Sequence, residues 1–179
     1  MKLETERLVL REWIPEDFEA VVALYADPQV MKHLSLDGKP LTRFQSWQTF
    51  CAILGHWRLR GFGMFAAVER GTNEFVGRIG PWYPEGWPGF EVGWTLRPKF
   101  WGRGYATEAA RRCIDFSFTD LGQDQVISLI EETNMRSIKV AERVGEKPDG
   151  MVVLEHAPTA RTLKFTLNRS EWVKGWPSQ

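Results

Sequence analysis

The sequence predicts an α+β domain, on three observations. Apolar residues recur at helical spacing in the first third of the chain and alternate with polar residues in the middle. They then switch period twice, giving a strand-helix-strand-helix unit. With 179 residues, 43% hydrophobic and 26% charged, the chain has the size and composition of one soluble domain, taken as residues 1–179. That mixture excludes a disordered, collagenous or fibrous chain. Lys plus Arg number 23, as do Asp plus Glu, so the formal net charge is zero. No global basic field exists to attract nucleic acid, and any anion site has to be local.

In order along the chain, Leu8 and Leu10 alternate with Arg7, Val9 and Arg11, an opening strand. Pro15 starts a helix, with Glu16 and Asp17 in its first turn and Phe18, Val21, Val22 and Tyr25 at helical spacing. Asp27-Pro28 repeats the start signal for a short helix to about His33. Thr42 with Gln45 has the form of a capping box, and Phe44, Trp47, Cys51 and Leu54 trace the expected buried face of a third helix. Met64 to Glu69 and Glu74 to Gly80 read as a hairpin around Arg70-Gly71-Thr72-Asn73. Pro81 to Gly89, dense in Pro, Gly and Trp, reads as a loop. Phe90, Val92, Trp94 and Leu96 then alternate with Glu91, Gly93 and Thr95 in the cleanest strand of the chain, ended by Pro98. A helix follows from about Ala106 to Leu121, then a strand from Gln125 to Glu131. Asn134 caps a helix carrying Ile138, Ala141 and Val144, closed by Gly145. Met151 to His156 and Arg161 to Asn168 form a last hairpin.

The two cysteines, Cys51 and Cys113, match no zinc or redox spacing and are expected to be buried thiols in a reducing compartment. The charged N-terminus is unlike a signal peptide, and no window has the apolar length of a membrane span, so a cytoplasmic protein without membrane association is expected.

The chemistry sits where a strand feeds a Gly-x-Gly loop that opens into a helix, Glu91 to Thr107. Gly102 and Gly104 admit a ligand to the backbone, and the free amides and positive dipole of the helix start favour a phosphate or pyrophosphate. Arg97, Lys99 and Arg103 add local positive charge. A plain structural turn fits the same residues. A Walker loop would require Gly-Lys-Ser/Thr, which is absent, and a dinucleotide fold would place its glycines at the first strand-helix turn of repeated units.

Trp101-Gly102-Arg103-Gly104-Tyr105-Ala106 resembles the Arg/Gln-x-x-Gly-x-Gly/Ala pyrophosphate loop of the GNAT N-acetyltransferases, with Trp101 in place of the usual Arg or Gln. Three further segments resemble the branch that acetylates ribosomal-protein N-termini. They are Glu6 to Arg11, Asn134 to Gly145, and Phe165 to Trp172. The resemblance implies a mixed, mostly antiparallel sheet flanked by helices, with two splayed parallel strands opening a cleft for acetyl-CoA. It also implies cofactor contacts from the backbone of Trp94, Thr95 and Leu96, from the loop Trp101, Gly102, Arg103, Gly104, Tyr105, Ala106 and Thr107, and from Asn134 and Ser137.

Acetyl transfer to an amine requires a neutral amine, and a model α-amino group titrates near about 8, so a base is needed. Glu91, the one acid of the strongest strand, is the candidate base. Many relatives donate the thiolate proton from a Tyr seven residues after the motif Asn; here that position is Ala141, and Ser137 is the substitute candidate. The missing Tyr keeps a second class open, a CoA-binding sensor without catalysis. Trp82, Trp87 and His156 are candidates for contact with the acceptor, a protein N-terminus or a small amine. His33 and His56 lack ligand partners at sensible spacing, so no metal is expected. A homodimer is compatible with a chain of this size.

Overall fold

The computed structural model describes residues 1–35, 37–155 and 157–172. Its strands are β1 Lys2–Glu4, β2 Leu8–Arg11, β3 Phe65–Glu69, β4 Phe75–Trp82, β5 Glu91–Leu96, β6 Gln125–Glu131, β7 Lys147–Leu154 and β8 Ala157–Asn168. Among the described residues they form one sheet in the order β1-β2-β3-β4-β5-β6-β8-β7, antiparallel everywhere except between β5 and β6. The expected α+β class is thus the observed one. β1 was not foreseen: three residues are too few to show a period, and the strand exists by pairing Leu3 with Leu10. β4 runs on through Pro81 to Trp82, into the stretch expected to be loop. β3 ends opposite Ile79, so Pro81 lies where β4 has a neighbour on one side only, and its missing N–H costs no ladder bond.

The helices are α1 Phe18–Tyr25, α2 Pro28–Met31, α3 Arg43–Arg60, α4 Tyr105–Thr119 and α5 Met135–Arg143. α4 lays Ala109, Ala110, Cys113 and Phe116 against Leu8, Leu10, Phe65, Ile79 and Val92 on one face of the sheet. α1 and α3 cover the other face, where Val21, Leu24, Phe50 and Ile53 meet Met64, Ala66 and Phe75. Two indoles pin this second layer: Trp13 and Trp57 each donate Nε1–H to the Met64 carbonyl, at 2.7 and 2.8 Å. The Thr42–Gln45 capping box forms as expected, and Gly61, at φ 75°, ends α3 in the left-handed region.

Two expectations are corrected here. The buried face of α3 carries Ser46, Phe50, Ile53 and His56, whereas Phe44, Trp47 and Leu54 are 69%, 50% and 39% exposed. The buried stripe includes the polar Ser46 and His56, so apolar spacing alone points to the other face, and tertiary hydrogen bonds hold the observed one. His56 and Trp57 lie on the buried side, where His56 Nδ1 meets the Phe62 carbonyl at 2.8 Å and His56 Nε2 accepts from the Tyr83 amide at 3.0 Å. Cys51, on the rejected stripe, is therefore exposed, while Cys113 is buried.

Asp17 joins β2 to α1. Its carboxylate receives both Arg11 Nη atoms at 2.7 and 2.8 Å and the Ile14 amide at 2.9 Å, and the residue is buried. A charged acceptor removed from such a site leaves a half-buried guanidinium without its partner. Asp17→Ala is expected to lower unfolding free energy by about 2–3 kcal/mol, read by urea denaturation; an unchanged midpoint would show that the pair contributes nothing.

Candidate active site

β5 and β6 run parallel but meet at a single register, Glu91 opposite Ile127, where the Ile127 amide donates to the Phe90 carbonyl at 2.9 Å. Beyond that point they separate, and the edge of β5 at Trp94, Thr95 and Leu96 faces an open trench of about 1460 Å³. At the root of the fork a smaller cleft of about 90 Å³ is lined by Glu91, Gly93, Trp94, Ser128, Ser137 and Arg78 among others.

The glycine loop closes the far end of the trench. Gly102 and Gly104 hold φ of 75° and 81°, values that a side chain disfavours. Gly104 is the N-cap of α4 and offers no side-chain acceptor, and the first helical bond runs from Glu108 N–H to the Gly104 carbonyl at 3.0 Å. The amides of Tyr105, Ala106 and Thr107 precede it and point out of the helix start. Arg7 fixes the loop from β2's side: Nη1 donates to the Arg103 carbonyl at 2.8 Å, and Nε donates to Glu108 at 2.6 Å. Trp101, where the resemblance expects Arg or Gln, donates Nε1–H to the Leu96 carbonyl at 2.8 Å, and its ring lies 4.5 Å beneath the Arg136 guanidinium of α5. It joins the loop to the end of β5. Of the residues expected to add local positive charge, Arg97 and Lys99 both pair with Glu74, whereas Arg103 lines the trench together with Arg136, Lys139 and Arg143.

The acetyltransferase (GNAT) domain model matches residues 7–147, most of the chain. The chain belongs to the GNAT acetyltransferase family. An acetyltransferase from Agrobacterium tumefaciens has the same fold at 31% identity and TM-score 0.83, covering 94% of this chain and 95% of that one. The uncharacterized N-acetyltransferase p20 of Bacillus licheniformis is 28% identical over 84% of both chains. RimL, a ribosomal L7/L12 alpha-N-protein acetyltransferase solved in complex with coenzyme A, shares the fold at 14% identity and TM-score 0.78, covering 96% of this chain and 99% of that one. The chain is thus a GNAT N-acetyltransferase. Among the described residues no helix is long and apolar enough to cross a membrane.

Within the GNAT frame, Glu91 is buried on the β5 face turned toward α1 and α3. Trp87 Nε1–H donates to its Oε2 at 2.7 Å, so the indole named as an acceptor contact holds this carboxyl. Burial raises Glu91 to about 7; the Trp87 donor, the charge of Arg78 and the Leu129 amide oppose the rise. Trp82 stacks on His56 with ring centroids 4.4 Å apart and lines neither cavity. His156 lies outside the described residues. Asn134 Oδ1 accepts the Ser137 amide at 3.2 Å as the cap of α5, and both residues also line the fork. Ser137 Oγ accepts Trp94 Nε1–H at 3.3 Å, which leaves its own proton free for the cleft. Ala141, at the usual Tyr position, is fully buried against Ile130, Ile138 and Phe165.

Several groups were missed in the sequence. His33 Nδ1, beyond α2, meets Glu131 Oε2 of β6 at 2.8 Å across the cleft mouth. Arg78 lies in the fork, and its signal was a single cation inside the apolar run Phe75 to Pro81. Glu146, just before β7, is 3% exposed with Oε1 2.9 Å from Ser128 Oγ and Oε2 unpartnered. Ser128 Oγ also lies 2.8 Å from the Val92 carbonyl. Ser128 Oγ is thus placed to donate to Glu146 Oε1 or to the Val92 carbonyl, and its one proton serves one of them at a time. Burial pushes Glu146 up to about 8, opposed by the Ser128 bond and aided by the charge of Glu91.

Between the ordinary carboxyl value of 4.5 and about 8, the folded chain holds a proton at Glu146 that the unfolded chain releases. Stability from this group is full below the lower value and is lost as pH rises through the upper one. Glu146→Gln keeps a neutral donor, so its fall in urea midpoint from pH 5 to pH 8.5 is expected to be smaller than wild type's. An equal fall in both proteins would refute a protonated Glu146.

Proposed function

We propose that this N-acetyltransferase transfers the acetyl group of acetyl-CoA to a primary amine by direct attack within a ternary complex. The amine is that of a protein N-terminus or a small molecule, and Glu91 takes its proton. The single observation that carries this reading is Glu91 buried at the root of the fork, lining the cleft where β5 and β6 part. When bound, acetyl-CoA supplies the activated acyl group as a thioester. Gly102 to Thr107 would hold its pyrophosphate through the free amides of α4, and the unpaired edge of Trp94, Thr95 and Leu96 would bond its pantetheine amides. Asn134 and Ser137 would border the same arm. The residues fit that ligand: on the side away from β4 the fork leaves backbone groups of β5 without a strand partner, and the helix start faces a trench bordered by cations.

The amine nitrogen bonds to the acyl carbon as the C–S bond breaks. Glu91 accepts the proton that the amine loses, and the thiolate leaves toward Ser137, whose hydroxyl proton is unspent in the structure. A thiol titrates near about 8.5, so modest help suffices for departure. Ala141 favours one other reading, a coenzyme A sensor that binds without turnover. Thiol release from acetyl-CoA across a panel of amines and N-terminal peptides separates the two: release requiring an amine supports transfer, and coenzyme A binding without release with any of them supports the sensor.

With Glu91 near 7, the ionised base accumulates as pH rises through that value, so kcat/KM is expected to climb along a limb centred there. Glu91→Gln should lower kcat/KM by about 10²-fold or more and remove that limb. An unchanged rate and profile would exclude Glu91 as the base. Ser137→Ala should lower kcat more than it weakens coenzyme A binding, measured by titration; the reverse pattern would make Ser137 a binding residue only.

A further inference from the structure

We propose that the acceptor is a zwitterion, a primary amine that carries a carboxylate a few bonds from its nitrogen, and that Arg78 receives this carboxylate while the nitrogen faces Glu91. The inference rests on the transfer reading above and adds the chemical class of the substrate.

Arg78 stands opposite Thr95 on the adjacent strand, and Glu91 stands opposite Trp82, so all four side chains share the face turned toward α1 and α3. Arg78 and Glu91 line the same small cleft, with Gly93 between Thr95 and Glu91 on β5. A Cβ at Gly93 would come within 2.9 Å of Met64 Cε and 3.2 Å of Glu91 Oε1, so glycine keeps this space open.

Arg78 differs from three other arginines that reach into the fold. Arg11 forks onto Asp17, Arg7 onto Glu108 and Arg97 onto Glu74. Arg78 Nε is buried without a hydrogen-bond partner, and among the described residues no carboxylate lies within ion-pairing distance of its guanidinium. Its guanidinium carbon lies 5.6 Å from the centre of the Tyr25 ring, and the buried hydroxyl of Tyr25 is also unpartnered. Glu91 feels the charge but bonds instead with Trp87 and the Leu129 amide. A buried N–H and a buried phenol without partners are costly, and a ligand carboxylate, which a guanidinium binds through two parallel N–H bonds, satisfies the first of them.

The cleft thus presents a cation and a proton acceptor to one small ligand. Its volume of about 90 Å³ suits a polar head group rather than a folded chain. An ordinary protein N-terminus has its carboxyl tied in a peptide bond and offers Arg78 nothing. A free amino acid or a similar amino-carboxylate offers both charges.

The test uses matched pairs differing only in the carboxylate, L-phenylalanine with 2-phenylethylamine and L-leucine with 3-methylbutylamine, together with the amino-acid amides. Thiol release from acetyl-CoA gives kcat/KM for each. The carboxylated member of each pair is expected to lead by about 10- to 100-fold in wild type. Arg78→Gln should erase that ratio, and Arg78→Lys, which keeps the charge without the fork, should leave an intermediate one. Loss of the Arg78 charge also raises Glu91, but this acts equally on both members and cancels in the ratio. Coenzyme A binding by each variant controls for folding; if Arg78→Gln fails to fold, the wild-type and Arg78→Lys ratios decide. A wild-type ratio near one, or a ratio that survives at Arg78→Gln, overturns this inference and leaves the transfer reading intact. Absence of release with every amine and peptide overturns both.

Discussion

Two parallel strands that touch at one register set the terms for everything else in this molecule. Because β5 and β6 pair only at Glu91 and Ile127, the sheet contains a fork rather than a continuous ladder, and the edge of Trp94 to Leu96 that faces away from β4 is left without a strand partner. In a protein interior such unpaired groups are costly unless a ligand or water completes them. The Ser128 hydroxyl, 2.8 Å from the Val92 carbonyl, satisfies the first group past the branch point. The glycine loop, α4 and the start of α5 are arranged around the gap that remains.

The fork also explains the carboxyl chemistry. Glu91 and Glu146 lie close to the branch, where strands and helices exclude water, and burial raises both. They differ in their neighbours. Glu91 has an indole donor, a backbone amide and a nearby arginine, all of which favour the ionised form. Glu146 has one hydroxyl and the adverse charge of Glu91. Glu91 is therefore the first to ionise and Glu146 the one that keeps its proton, a division of labour set by desolvation and hydrogen-bond count rather than by residue type.

Much of this was legible in the sequence where the signal was local. The alternation from Phe90 to Leu96, the Thr42–Gln45 box, the Gly102-x-Gly104 loop and the Asn134 cap are each specified by adjacent residues, and the structure places them as read. The expectations that failed depended on partners far along the chain. The stripe Phe44, Trp47, Cys51 and Leu54 is more apolar than the stripe that is buried, which includes Ser46 and His56, and the bonds of His56 and Trp57 to residues 62, 64 and 83 hold the observed face. Arg97 and Lys99 read as local positive charge, and their pairing with Glu74 is not visible in the sequence because Glu74 is distant in the chain and near in the sheet. Glu146 had no periodic signal, since its significance comes from Ser128 on another strand. Trp87, a candidate for contact with the acceptor, lies in a loop four residues before the carboxyl to which it donates, and that loop carries no periodic signal.

The contrast between the two thiols has a practical side. Cys113 is buried beneath α4 and pushed up to about 12 by desolvation, so it stays unreactive while the fold is intact. Cys51 stands in solvent on α3, on the far side of the helix from the buried layer. A maleimide dye or nitroxide would therefore attach at one position without mutagenesis. From there it would report, by fluorescence or paramagnetic relaxation, on how the α1 and α3 layer shifts as ligands fill the fork.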